Sequence, residues 1–233
     1  MERVKTGIAG LDAATGGGLP AGTRTLVYGP PGTGKTVFSL QFLWAGLRAG
    51  ETVAYNAADR PYPQIRGYFE SFGWDVTAYE REGKLIALQS FPHFEEASRE
   101  PGVDYFVPAN LEDLRAASGR LEARRVTRLV AAEYSQALHS VVPAQTVVPL
   151  GQWLVDWAHR RNVAVLEVVT ATQMDLEGYK GWSLSMKSAQ NVIQFRIQGG
   201  RREIRILKLE GASHPLEWVP MEITANGIEM GVV

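Results

Sequence analysis

The chain of 233 residues carries 24 Lys and Arg against 25 Asp and Glu, and 45% of its residues are hydrophobic. A formal net charge of −1 disfavours a general nucleic-acid binder, because such proteins rely on many lysine and arginine contacts to phosphate. The absence of cysteine excludes disulfides, thiolate catalysis and cysteine-based zinc sites. No apolar signal segment opens the sequence and no run approaches the length of a membrane span, so we expect a cytoplasmic protein without membrane insertion.

Strand and helix signals alternate along the first 170 residues. Strands are predicted at 24–29, 52–57, 84–90, 126–132 and 163–170, and helices at 36–50, 62–74, 111–125 and 149–162. Two further β runs within 191–210 flank Gly199 and Gly200, which predicts an antiparallel hairpin. This order predicts an α/β fold with a mainly parallel sheet flanked by helices.

The organisation of the chain predicts one domain over residues 1–233. No internal repeat and no stretch rich in glycine, serine or proline marks a boundary between two domains. Residues 91–110 have the least regular pattern, and we expect a long surface excursion there.

A glycine-rich segment, GPPGTGKT, matches the phosphate-binding pattern G-x-x-x-x-G-K-[ST] between a predicted strand and a predicted helix. The glycines let backbone N–H groups point at the phosphates, and the start of the helix adds its dipole. Lys35 supplies a cation for the β- and γ-phosphates, and the Thr36 hydroxyl can bind Mg²⁺. We therefore expect ATP or ADP with Mg²⁺, held by Gly29, Pro30, Pro31, Gly32, Thr33, Gly34, Lys35 and Thr36.

Three stretches resemble the KaiC-like branch of the RecA/RadA ATPase superfamily. They are TGIAGLDAATGGGLPAGTRTLVYGPPGTGKT (6–36), SFGWDVTAYEREGKL (71–85), and residues 188–230, which contain the predicted hairpin. The resemblance implies a RecA-like P-loop fold with a C-terminal antiparallel β-hairpin. It also implies a homo-oligomer, usually a hexameric ring, with ATP at the subunit interfaces. KaiC has two tandem domains and this chain has one, so clock function and autophosphorylation are not carried over.

The resemblance also indicates where a Walker B acid should lie. Relatives carry Asp and Ser after an apolar strand, and RLVAAEYSQAL (128–138) places Glu133 and Tyr134 at those two positions. Glu133 could hold Mg²⁺ through a bound water and is a candidate catalytic residue. The alternative is a solvent-facing glutamate at the end of a strand.

A second expectation concerns the catalytic carboxylate pair that KaiC-like domains place after the strand that follows the phosphate-loop helix. The pair falls on Ala57 and Ala58, or on Ala58 and Asp59 if the loop holds one extra residue. Alanine cannot orient water or accept a proton, so at best Asp59 survives as a catalytic acid. An ordinary turn aspartate before Arg60 and Pro61 is the alternative.

A third expectation concerns cations that reach the nucleotide of a neighbouring subunit. Relatives end a strand with Lys-x-Arg-Gly, whereas this chain has Lys208 followed by Glu210. We expect Lys208 to act across the interface, with an ordinary surface lysine as the alternative. A carboxylate facing phosphate is repulsive, so we expect Glu210 to pair with Arg202 or Arg205.

A polar γ-phosphate sensor is expected just after the strand at 163–170. Gln173 occupies the expected position, and Thr170 and Thr172 compete for it.

The changes at the Walker B position, at the acid pair and at the interface arginine leave the phosphate-loop motif itself intact. Losing such groups removes transition-state stabilisation while ground-state binding is mostly kept. The sequence therefore predicts a nucleotide-dependent oligomeric switch or scaffold with weak or absent hydrolysis, presenting a surface to an unidentified protein partner. An active KaiC-like ATPase is the first alternative. A RadA-like recombination accessory is the second, because residues 174–190 lie where RecA-like proteins keep DNA-facing loops.

Overall fold

The computed structural model describes residues 2–90, 100–106, 110–134, 137–138, 144–171, 186 and 188–231. Strands and helices alternate through most of the described chain. In chain order the elements are β1 (Arg3–Val4), α1 (Ala9–Ala14), β2 (Leu19–Pro20), β3 (Arg24–Gly29), α2 (Lys35–Arg48), β4 (Val53–Ala57), α3 (Tyr62–Ser71), α4 (Thr77–Arg81), β5 (Leu85–Ser90), β6 (Val103–Phe106), α5 (Leu111–Ala123), β7 (Arg128–Ala132), α6 (Ala144–Arg161), β8 (Ala164–Thr170), β9 (Asn191–Gln198), β10 (Arg201–Leu209), β11 (Val219–Thr224) and β12 (Gly227–Met230).

A ten-stranded sheet organises the fold, in the order β12-β11-β10-β9-β3-β8-β7-β4-β5-β6. Neighbouring strands from β9 to β6 run parallel, and β10, β11 and β12 are added antiparallel. This arrangement confirms the predicted α/β fold, including the hairpin around Gly199 and Gly200. β1 and β2 form a separate two-stranded antiparallel pair.

Helices cover both faces of the parallel region, so its central strands are buried along nearly their whole length and are mostly apolar. Every residue of β3 is buried. On one face α2 contributes Phe38 and Leu43 to a core shared with Val27 of β3. On the other face Leu121 of α5 and Trp157 of α6 pack against β4, β5 and β8. Burial on both faces accounts for the continuous hydrophobic runs that marked these strands in the sequence.

The structure corrects the expectation for residues 91–110. Residues 103–106 form the edge strand β6, which pairs parallel with β5. The pattern was missed because all four residues of β6 are only half-buried, as is usual at a sheet edge. Residues 91–99 and 107–109 lie outside the described residues.

Two further differences concern α6 and the end of the chain. α6 begins at Ala144, five residues before the predicted start, and contains Pro149 in its interior. The prediction began the helix at that proline, because proline favours the first turn of a helix. The hairpin of β11 and β12 was not predicted.

Candidate functional site

The phosphate loop is formed by local backbone geometry and close packing. β3 ends at Gly29, and α2 begins at Lys35 after Gly34 in the left-handed conformation. A Cβ on Gly29 would lie 2.3 Å from the carbonyl oxygen of Phe195 on β9. The loop thus leaves the sheet at a point where no side chain larger than a hydrogen fits.

Lys35 is buried and points back into its own loop. Its Nζ donates to the carbonyl oxygens of Gly29 and Pro30, both at 2.8 Å. Burial lowers the pKa of Lys35, and the nearby Glu133 carboxylate opposes that effect. The Thr33 hydroxyl also donates to the Pro30 carbonyl at 2.9 Å. These bonds hold the lysine over the loop, where a phosphate could replace the carbonyls as its partner.

The sheet brings Asp59, Glu133 and Thr170 to the same edge as the loop. β3, β8, β7 and β4 are successive parallel neighbours, so their carboxyl ends lie side by side. Gly29 is level with Thr170, and Ala132 is level with Ala57. An open cavity of about 290 Å³ lies at this edge. Its described lining residues are Ala58, Asp59, Glu133, Ala137 and Thr170.

Glu133 faces this cavity and is bound to the neighbouring strand. Its carboxylate accepts hydrogen bonds from the Thr170 backbone N–H at 2.9 Å and from the Thr170 hydroxyl at 2.6 Å. Its backbone has a φ of 52°, and its N–H donates to Val168 at 2.8 Å. Burial raises the pKa of Glu133 despite the bonds from Thr170. The charge of Asp59 raises it further, and Lys35 acts in the opposite direction.

Asp59 lines the same cavity and forms an ion pair with the adjacent Arg60. Its Oδ2 accepts from Arg60 Nε at 2.9 Å and from Arg60 Nη2 at 2.5 Å. Ala58 is buried, with 3% of its surface exposed, and Ala57 is the last residue of β4. The two residues that follow β4 therefore place one methyl group and one carboxylate at the cavity.

Lys208 lies away from the loop of its own chain. It is level with Val192 on β9, which is level with Leu26, three residues before the end of β3. Its Nζ donates to the Ala189 carbonyl at 2.6 Å. A role for Lys208 across a subunit interface remains a prediction.

Glu210 does not pair with either predicted arginine within the described residues. Arg202 Nε donates to the Gly32 carbonyl of the phosphate loop at 3.0 Å. Arg205 Nε donates to Gln194 at 2.8 Å, and its guanidinium lies 4.4 Å from the centre of the Trp218 ring. The predicted ion pairs are thus wrong because each arginine has another partner.

The sequence did not reveal the contact between Arg202 and the loop, since β10 reaches it across β9. Among the candidates for a γ-phosphate sensor, Thr170 is at the cavity. Gln173 and Thr172 lie outside the described residues, as does most of 174–190.

Comparison with known proteins identifies the family. The model of the KaiC ATPase family matches residues 4–232. The chain belongs to the KaiC ATPase family. Membership implies that it binds a nucleotide, and the assignment of that role to the loop at 29–36 remains a prediction. Within the described residues, no helix is long and apolar enough to cross a membrane.

Single-domain and tandem relatives are both found. A UPF0273 protein of Methanopyrus kandleri is 31% identical, over 99% of this chain and 92% of its own length. The circadian clock oscillator protein KaiC of Synechococcus elongatus is 32% identical over 99% of this chain but only 44% of its own length. A crystal structure of a KaiC-like protein from Pyrococcus horikoshii superposes with a TM-score of 0.80 at 26% identity, covering 99% of both chains.

The site residues also fit a magnesium ion. Mg²⁺ prefers oxygen ligands and keeps several of its waters. A half-buried Thr36 hydroxyl opens α2, and Glu133 is close enough to Lys35 for each to shift the pKa of the other. A hydroxyl at the start of the helix and a carboxylate after a neighbouring strand are the donors that such an ion takes in P-loop proteins.

Proposed function

We propose that this KaiC-family chain binds ATP or ADP with Mg²⁺ and acts as a nucleotide-dependent oligomeric switch or scaffold, with weak or absent hydrolysis. The observation that carries the proposal is the state of the cavity beside the phosphate loop. The phosphate loop is intact, whereas the two carboxylates at the cavity, Asp59 and Glu133, are already hydrogen-bonded within the chain.

Binding is supported by the cradle. Lys35 is held above the loop by two carbonyls, so the cation is positioned before any ligand arrives. In such loops the backbone amides and the lysine carry the β- and γ-phosphates, while Thr36 and a water held by Glu133 would complete the ligands of Mg²⁺. The bound ion would neutralise phosphate charge.

Weak hydrolysis is supported by the arrangement of the acids. A general base must be free to accept a proton from the attacking water. Asp59 is engaged by Arg60, and Ala58 presents a methyl group where relatives carry an acid. Removing one stabilising group of this kind typically costs about 3 kcal/mol of transition-state stabilisation, while ground-state binding is mostly kept.

Assembly is supported by the direction of Lys208. Its Nζ bonds to Ala189 near the amino end of the sheet, away from its own phosphate loop. In an oligomer with nucleotide at the interfaces, as the KaiC resemblance implies, Lys208 would serve the neighbour. Glu210 in place of the second cation would leave that contribution weaker. The assembled protein would present its nucleotide state to a protein partner in the cytoplasm.

An active ATPase is the second candidate, and Glu133 favours it. A carboxyl whose pKa is raised by burial is better matched to proton transfer near neutral pH than an ordinary carboxyl. In that case the Thr170 bonds would hold the base in position. No described feature favours a RadA-like DNA accessory, and single-strand filter binding would test it.

Phosphate release and thermal unfolding, measured together, test the proposal. We expect ATP and ADP with Mg²⁺ to raise the melting temperature and to change the size of the assembly by light scattering, with little phosphate released. Turnover on the scale of 1 per second or faster, typical of enzymes and abolished by Lys35→Ala, would support the active ATPase instead. The absence of any nucleotide effect would refute both readings.

A further inference from the structure

We infer that Arg60 recognises the terminal phosphate of ATP from within the same chain. This inference rests on the proposed nucleotide binding and names a residue that the phosphate-loop motif does not contain. Arg60 follows the two cavity residues Ala58 and Asp59 and precedes α3. KaiC-like relatives carry an interface arginine at the position of Glu210. Arg60 would supply a cation in its place, from within the same subunit.

The position of Arg60 is set by the end of β4. β4 is separated from β3 by β8 and β7, whose carboxyl ends carry Thr170 and Glu133. A γ-phosphate extending from the loop enters the cavity that these ends enclose. Glu133 and Asp59 both line the cavity, and Lys35 lies close enough to Glu133 to lower the pKa of its carboxyl.

The guanidinium of Arg60 retains donors for a ligand. Nε and Nη2 both donate to Asp59 Oδ2, and Nη1 makes a 3.4 Å contact with the Tyr68 hydroxyl. An arginine carries five N–H donors, so these contacts leave one on each terminal nitrogen. Two parallel donors on one edge are the geometry with which arginine binds phosphate. Asp59 can therefore keep its bonds and orient the guanidinium while the opposite edge receives the phosphate.

The charges at the cavity also favour this role. Asp59 and Glu133 would repel a γ-phosphate, and Lys35 alone would have to balance both carboxylates and the ligand. Arg60 pairs with Asp59, which lines the cavity, and so places a second cation beside it. The Arg60 side chain is 31% exposed and that of Asp59 is 27% exposed, so a small movement of either side chain costs little free energy.

A nearby arginine, Arg66 on α3, provides a matched control. Arg66 pairs with Glu80 at 3.0 Å and is 31% exposed, like Arg60, and it stacks on a tyrosine ring, Tyr62, at 5.5 Å. Its partner Glu80 lies on α4 and does not line the cavity. Arg66→Gln therefore removes an equivalent ion pair without removing a cation from the nucleotide site.

The test measures the affinities of the purified chain for ADP and for a non-hydrolysable ATP analogue, both with Mg²⁺, by calorimetry. The variants are Arg60→Gln, Arg60→Lys, Arg66→Gln and Lys35→Ala. We expect Arg60→Gln to weaken the analogue at least tenfold and ADP less than twofold. Arg60→Lys should fall between wild type and Arg60→Gln, because a lysine keeps the charge but not the paired donors. Arg66→Gln should leave both affinities unchanged.

The outcomes separate this inference from the proposed function. If wild type binds both nucleotides, Lys35→Ala binds neither, and Arg60→Gln keeps the wild-type ratio of affinities, the role of Arg60 is wrong and nucleotide binding stands. An equal loss in Arg66→Gln would also overturn the role. If wild type binds neither nucleotide, the proposed function itself fails. Should Arg60→Gln not fold, the ratio in Arg60→Lys decides.

Discussion

Glu133 and Thr170 join the carboxyl ends of β7 and β8 by two hydrogen bonds from one residue to one carboxylate, at 2.9 and 2.6 Å. The bonds fix the side chain that separates the phosphate loop from Asp59. Burial nevertheless raises the pKa of Glu133, so the ionised carboxylate lowers the stability of the folded protein.

Glu133→Gln should stabilise the nucleotide-free protein at neutral pH. The folded pKa of Glu133 is raised, so the folded state binds its proton more tightly and loses stability as the pH rises from the ordinary glutamate range through the folded pKa. The amide oxygen of the glutamine still accepts from the Thr170 backbone N–H, and the Thr170 hydroxyl can rotate to accept from the amide NH₂. We expect the difference in melting temperature between variant and wild type to be near zero at acid pH and to grow towards pH 7 in calorimetric scans.

Thr170→Ser is the control for this effect, because it keeps both donors. A difference that is largest at acid pH, or the same at every pH, would contradict the assignment of the effect to the Glu133 proton.

Lys35→Met should abolish nucleotide binding without destabilising the apo protein. Burial lowers the pKa of Lys35, so the charged lysine costs stability below its ordinary pKa, and its removal relieves that cost. A ligand at 100 times its Kd stabilises by about 2.7 kcal/mol, which corresponds to a shift of about 5–10 °C for a chain of this size. Differential scanning fluorimetry with and without Mg-ATP should show that shift in wild type only.

Lys84→Met is the matched control, since Lys84 is half-buried and its Nζ donates to the Gly50 carbonyl at 3.2 Å at the surface. A persistent shift in Lys35→Met would mean that nucleotide binds elsewhere.

The phosphate loop and the strands around it were predicted because their signals are local. β3 was predicted at its observed bounds, since it has a short apolar, β-prone run and ends at a glycine. The shared edge follows from the topology, because neighbouring parallel strands bring the residues that follow them to one edge of the sheet. The resemblance to KaiC-like domains indicated Asp59 and Glu133 as the residues to expect after two of these strands.

The rest depends on contacts between distant segments. Arg202 and Arg205 alternate along one strand, and nothing local distinguishes the arginine that reaches Gly32 from the one that stacks on Trp218. The edge strand β6 has too little apolar character to differ from a loop. Glu133 accepts from Thr170 because β7 and β8 are neighbours, although 37 residues separate the two in sequence.

Arg128→Met should strongly lower the free energy of unfolding. Its side chain is 2% exposed, bonds Glu51 at 2.6 and 2.7 Å, and donates to the carbonyls of Lys5 and Phe42. Breaking a buried pair of this kind costs about 3–5 kcal/mol. Urea unfolding should show that loss, whereas Arg124→Met should cost about 0.5 kcal/mol or less, because Arg124 is exposed and 3.8 Å from Asp104.

The same pair predicts a pH dependence. Burial alone would raise the pKa of Glu51, but the bonds from Arg128 and Thr127 hold it below its usual range. Its contribution is therefore present above the ordinary glutamate pKa and lost as the pH falls through the folded value. The gap between wild type and Arg128→Met should narrow in acid, and a gap that widens there would contradict the pairing.

Gly29→Ala should destabilise the protein and disturb the phosphate loop. The added Cβ would lie 2.3 Å from the Phe195 carbonyl, so β9 or the loop must move. Overpacking of this kind costs about 1–3 kcal/mol. Gly119→Ala is the control, because nothing lies within 4 Å of its added Cβ inside α5 and alanine favours a helix by about 1 kcal/mol. Chemical unfolding should move in opposite directions for the two variants, and a neutral Gly29→Ala would show that the loop can shift freely.

Asp59→Ala tests whether the cavity holds a working base. Under the proposed function Asp59 is engaged by Arg60 and hydrolysis is already weak, so phosphate release should stay within about twofold of wild type. Loss of a true general base lowers the rate by about 10² or more. Asp75→Ala is the control, since Asp75 is exposed and accepts from the Thr77 backbone at the start of α4. A hundredfold drop in Asp59→Ala, with Asp75→Ala unchanged, would establish Asp59 as the base and favour the active ATPase over the switch.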